Sequence, residues 1–137
     1  MLIRFAVVLA CLAALSVAAP ARAEQPPLDA TQKREAARAL DRRVGCAAFY
    51  RITYELLSGD RASERTRELA ATYDVAGRDL LVQAGEIAGA LGEGGAMLNV
   101  RFKTALAALS EEIDGRSVAY NRYAARFHPV CRRLIRQ

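Results

Sequence analysis

Residues 109–131 read LSEEIDGRSVAYNRYAARFHPVC, and the number of helices in the protein turns on how this stretch is parsed. Leu109 and Ile113 close an apolar stripe that begins at Leu98, Phe102 and Ala105, with helical spacings of three and four. Asp114-Gly115 has the composition of a helix stop. Yet the stripe resumes in phase beyond it, at Tyr120, Ala124 and Phe127, and one glycine inside a helix costs only about 1 kcal/mol. The pattern therefore predicts one long helix from about Ala96 to Phe127. Pro129 disfavours the helical region for His128, so a break is expected there. A short last helix, Pro129 to about Arg136, then carries Val130, Cys131, Leu134 and Ile135. The alternative is a stop at Gly115 and an up-down four-helix bundle.

Upstream, two further amphipathic helices are legible. Asp29 or Thr31 can cap the first, with Gln32 at capping-box distance from Asp29. It runs to about Leu57 on a stripe of Ala36, Leu40, Val44, Ala47, Ala48, Ile52 and Leu56, widened by Cys46, Phe49 and Leu57. Ser58-Gly59-Asp60 ends it. Asp60 or Ser63 caps the second helix, which reaches about Leu91 on Leu69, Tyr73, Ala76, Leu80, Ala84, Ile87 and Leu91. Gly85 and Gly89, four apart, are expected to let a neighbouring helix approach. Gly92-Glu93-Gly94-Gly95 is a loop. β-Branched residues are sparse and never alternate, so no strand is expected.

The N-terminus has the pattern of an export signal. Arg4 supplies a positive start, Phe5 to Ala19 is apolar and uncharged, and Ala21-Arg22-Ala23 places small residues at the −3 and −1 positions of a cleavage site. That run is shorter than the roughly 20 residues of a spanning helix, so no membrane span is expected after cleavage. Val8-Leu9-Ala10-Cys11 resembles a lipoprotein box, but the apolar run continues past Cys11 to the better site, and lipidation is the weaker reading. Three parts follow: a signal peptide at 1–23, an extended Pro-Pro leader at 24–28, and a helical domain at 29–137.

Residues 24–137 number 114, enough for one core. They hold all 15 acidic residues and 18 of the 20 basic ones, a net charge of +3 that does not argue for nucleic acid. From Arg116 to Gln137 there are six arginines and no acid. Two cysteines remain, Cys46 and Cys131, and an oxidising compartment predicts that they pair.

That pairing bears on the parsing of 109–131. At 1.5 Å per residue, Cys46 lies roughly 18 Å below the top of helix one. With straight helices, a fourth helix descending from Gly115 would carry Cys131 roughly 40 Å down, about 20 Å too low. A third helix running to Phe127 brings Cys131 near the top, where a folded-back segment returns it to Cys46. The expected fold is therefore all-α: three long antiparallel helices and a short C-terminal one, closed by the disulfide.

Chemistry-bearing motifs are absent. There is no Cys-x-x-Cys-His for covalent haem, no Glu-x-x-His for a di-metal bundle, no zinc-type cysteine spacing, phosphate loop or nucleophile elbow. No cofactor is expected. His128 is the only histidine, and beside a proline it reads as a capping or surface residue. A Met97–His128 haem pair would sit at opposite ends of the expected fold. Glu111, Glu112 and Asp114 read as a solvated face. Arg38, Arg42 and Arg51 are the candidates for an arginine-pocket enzyme, without a motif to support it.

Among Tyr50, Tyr54, Tyr73, Tyr120 and Tyr123, the pair Tyr120/Tyr123 stands beside Arg122 and Arg126. Tyrosine and arginine together favour a protein-binding face. The functional expectation is a periplasmic or secreted, non-enzymatic helical binding protein whose partner is another exported or envelope protein. The alternatives are a small anionic-ligand carrier and the arginine-pocket enzyme.

Overall fold

The first two helix starts are fixed by local caps. Asp29 Oδ1 accepts from the backbone N–H groups of Thr31 and Gln32 at 2.8 Å, while Gln32 Oε1 accepts from Asp29 N–H at 2.9 Å. This capping box opens α1, Ala30–Leu57. Ser63 accepts from Thr66 N–H and opens α2, Glu64–Ala90. Gly92, at φ +77°, ends α2: its N–H donates to Gly89 O and that of Glu93 to Ala88 O, a pairing that needs a left-handed residue between. Then come α3, Gly95–Ile113, and α4, Ser117–Ile135. The computed structural model describes residues 27–114 and 116–135, and these form an all-helical fold without strands. The signal segment at 1–23 and the leader up to residue 26 lie outside the described residues.

The chain between Leu109 and Cys131 departs from the sequence expectation twice. α3 ends at Ile113, and Asp114 takes a left-handed conformation at φ 40°, one of the few non-glycine residues that tolerates it. The in-phase stripe of Tyr120, Ala124 and Phe127 does face the core, but from a separate helix. Nor does Pro129 break the chain: it lies inside α4. The carbonyl of Ala125, which Pro129 cannot serve, sits at an exposed residue where water can reach it. On either side of the proline, Phe127, Cys131 and Leu134 pin the helix to the core.

The order of contacts shows an up-down-up-down arrangement. Arg43 meets Gln83 while Tyr50 meets Tyr73, so α1 and α2 are antiparallel. Arg101 reaches Asp41, and Ile113 shares a hollow with Leu57, so α3 runs with α1. Tyr120 meets Thr53 while Cys131 bonds Cys46, so α4 runs back along α1. Cys46 and Cys131 are joined, with Cα atoms 5.4 Å apart.

The disulfide fits four helices because α3 does not start level with the first turn of α1. No residue of α1 before Leu40 is buried, so its first turns extend beyond the bundle. Leu40, Val44, Ala84 and Ala88, packed with Leu91 and Leu98, form the lower end of the core. α3 therefore starts near the level of Leu40 and regains the top of α1 within its 19 residues, about 28 Å. From Ser117, Cys131 lies about 21 Å down; from Leu57, Cys46 lies about 17 Å down, and the two meet.

α1 is the axis. Residues 46–50, Cys-Ala-Ala-Phe-Tyr, are buried on every side, as a central helix requires. Gly77 of α2 faces them; a Cβ there would stand 3.5 Å from Tyr50 Cβ and 3.6 Å from Ala47 O. The close approach expected at Gly85 and Gly89 is absent: Gly85 faces only the side chain of Leu98, and Gly89 faces open space. Gly77 sits one helical turn from both Tyr73 and Leu80, in the middle of the seam, whereas Gly89 lies at its lower end.

Candidate functional site

α4 has two sides, and both carry uncommitted polar groups. Its outer side presents Val118, Arg122, Ala125, Arg126, Pro129 and Arg133, all exposed and one above another at helical spacing. Arg122 and Arg133 are 11 residues, about 17 Å, apart along the axis. The ion pairs among the described residues are Arg51–Glu55, Arg78–Asp74, Arg101–Asp41 and Arg101–Glu93; none involves α4. Arg126 lies 5.8 Å over the ring of Phe127, and Arg133 donates to the carbonyl of Pro129. Arg122 borders an open hollow of about 370 Å³ with Glu112, Arg116, Val118 and Tyr123.

The face expected from Tyr120, Tyr123, Arg122 and Arg126 is thus divided. Arg122 and Arg126 are exposed, and Tyr123 is half-buried beside Arg122. Tyr120 points inward: its hydroxyl bonds Thr53 Oγ1 at 3.1 Å, and its ring stacks on Phe49 at 6.0 Å. Thr53 is itself buried and donates to Phe49 O. Tyr120 is a core residue, placed by the same three-residue period that puts Tyr123 at the edge.

The inner flank of α4 holds what the sequence reading missed. His128 is not a surface cap. Its ring lies edge-on to Phe49 at 5.2 Å, and 5.9 Å and 6.4 Å from the rings of Tyr73 and Tyr50. The rings of His128, Tyr73 and Tyr50 floor a groove between α2 and α4 of about 530 Å³, with Leu69, Thr72 and Ala76 on one wall and Arg132 and Ile135 on the other. Burial, aided by the Arg132 guanidinium, lowers the proton affinity of His128. Burial also raises the pKa of both phenols, Tyr50 further through Tyr73 and Tyr73 through Tyr120, with Arg132 opposing in each case. At neutral pH the groove therefore offers two phenol O–H donors, one uncharged imidazole and one guanidinium.

Among the described residues no carboxylate lines this groove, so none of them is an acidic partner that would orient His128 as a general base. Met97 and His128 do not meet: Met97 is half-exposed in the first turn of α3, beside Leu98 of the lower core. Glu111, Glu112 and Asp114 are exposed, and the described residues contain no group of three or more acidic, histidine or cysteine side chains placed to hold a metal. Arg38 and Arg42 lie on the early turns of α1, while Arg51 is paired with Glu55 and stacked over Tyr54; the three do not converge.

One sequence signal pointed to the groove. Tyr50 follows Cys46 by four residues and His128 precedes Cys131 by three, so pairing the cysteines also brings these two side chains together. No helix among the described residues is long and apolar enough to cross a membrane. No protein-family model, curated protein or solved structure matches this chain.

Proposed function

We propose that this chain is an exported, non-enzymatic helical binding protein, acting by contact with another exported or envelope protein as an adaptor, inhibitor or chaperone-like factor. Export to the periplasm or the medium is supported by the signal pattern at 1–23 and by the buried Cys46–Cys131 bond, which belongs to an oxidising compartment. The observation that carries the binding reading is the row Arg122, Arg126 and Arg133 on the outer side of α4. These guanidiniums are exposed, have no carboxylate partner among the described residues, and lie in a segment without a single acid. Arginine presents a rigid fork of donors that matches carboxylates, so the partner surface is acidic.

The test is capture from the periplasmic or culture fraction by purified protein. The wild type should retain an acidic protein that Arg122→Glu/Arg126→Glu does not. Both arginines are exposed, so the variant should unfold within about 0.5 kcal/mol of the wild type. Equal capture by both proteins would remove this face from consideration.

A further inference from the structure

We infer that the groove between α2 and α4 is a binding site for a small apolar monocarboxylate. The carboxylate lies between Arg132 and the hydroxyls of Tyr50 and Tyr73, and the apolar body lies along Leu69 and Ile135. This site is on the opposite flank of α4 from the arginine row, and either can fail without the other.

The starting point is Tyr50. It is the largest fully buried side chain among the described residues, 2% exposed, yet it borders the groove. Among the described residues its hydroxyl makes no hydrogen bond with the protein, and it is not sealed from solvent either. A phenol hydroxyl without a protein partner bonds to water or to a ligand, and Tyr50 borders this groove. The hydroxyl of Tyr73 and the ring nitrogens of His128 are likewise without a protein partner among the described residues and line the same space. Four polar side chains on three helices thus converge on one groove.

Their chemistry selects the ligand. Phenols and guanidinium are donors, so the group they hold is an acceptor. Among the described residues lining the groove only Arg132 carries a full charge, since the lowered proton affinity of His128 favours its neutral form, and one charge matches a monoanion rather than a phosphate dianion. The remaining walls are apolar: Leu69 and Ile135 are 49% and 40% exposed there, surface that a hydrocarbon body would cover. At about 530 Å³ the groove is larger than a lone carboxylate group needs.

Octanoate is a suitable probe, and His128, the only histidine, gives a single imidazole signal by NMR that reports the site. At fixed pH, octanoate below its micelle-forming concentration should shift that signal saturably. Octanol, without the charge, and acetate, without the body, should leave it in place. Arg132→Ala and Tyr50→Phe should each weaken octanoate by about tenfold, the worth of one hydrogen bond to a charged group. Arg126→Ala, on the outer side, should not change it. No saturable shift with octanoate overturns the proposal, as does equal binding of octanol or an Arg132→Ala variant that binds like the wild type. If Tyr50→Phe lowers stability, Arg132→Ala decides alone, because Arg132 is exposed.

Discussion

The seam between α1 and α2 and the seat of α4 are built from opposite materials. The α1–α2 seam is closed by small residues: Ala47, Gly77, Ala84 and Ala88 let the backbones approach, and its polar cross-link, Arg43 to Gln83, is satisfied at 3.0 Å. α4 is held instead by large rings stacked on Phe49, by the Thr53–Tyr120 hydrogen bond and by the disulfide. Small residues let the two backbones approach closely. Large rings hold a helix at a distance, so a groove opens beside it and polar tips stay unpaired. In this protein the first material closes a seam, and the second leaves the groove proposed above as a binding site.

Three perturbations separate these roles. The largest is removal of the disulfide. Replacing both cysteines, Cys46→Ser/Cys131→Ser, opens a loop of 85 residues and should lower unfolding free energy by about 4–5 kcal/mol, read from urea denaturation. Hydrogen exchange on that variant should speed up in α4 well before the α1–α2 seam; uniform loss of protection would show that the two regions are one cooperative unit.

Next comes the seam itself. Gly77→Leu forces a branched side chain against Tyr50 and Ala47 and should cost about 1–3 kcal/mol. Gly89→Ala meets nothing and should gain up to about 1 kcal/mol from helix propensity alone. Equal effects at the two positions would contradict the placement of the close approach at Gly77.

The smallest effect is on pH. Among the described residues the titratable groups facing His128 are Tyr50 from α1, Tyr73 from α2 and Arg132 on its own helix, and none of them is a carboxylate. Its folded pKa is depressed below 6.5 by burial and Arg132, so the unfolded chain binds the proton first. Stability should be full above about pH 7, fall as pH drops through 6.5 towards the depressed folded value, and level off below it. His128→Gln should flatten that slope in thermal melts between about pH 7 and 5. An unchanged slope would mean that His128 is as free in the fold as in the unfolded chain.

Much of this fold was legible because its signals are local. Asp29 with Gln32, Ser63, and the Gly92 turn mark helix ends through hydrogen bonds within a few residues, and sequence reveals such contacts directly. The stripes of α1 to α3 followed from spacing. The break at Asp114 did not, because an unbroken helix and two helices joined by a short turn present the same phase on either side. Pro129 was misleading for a related reason: a proline's local cost is real, but Cys131 and Leu134 beyond it outweigh that cost through distant contacts. Tyr120 and Tyr123 look alike in sequence and part company in the fold, one bonded to Thr53 and one at the rim of a hollow.

By itself, then, the chain's order of residues determined the all-helical class, most helix ends, the pairing of Cys46 with Cys131 and the acid-free stretch that makes α4 basic. These depend on periodicity, capping and composition, which operate over a turn or two. Only the tertiary structure decided that α1 overhangs the bundle, that Gly77 and not Gly85 marks the close approach, and that His128 faces Tyr50 and Tyr73. Those outcomes depend on the relative heights of helices, and height is set by which side chains from distant segments fill the same space.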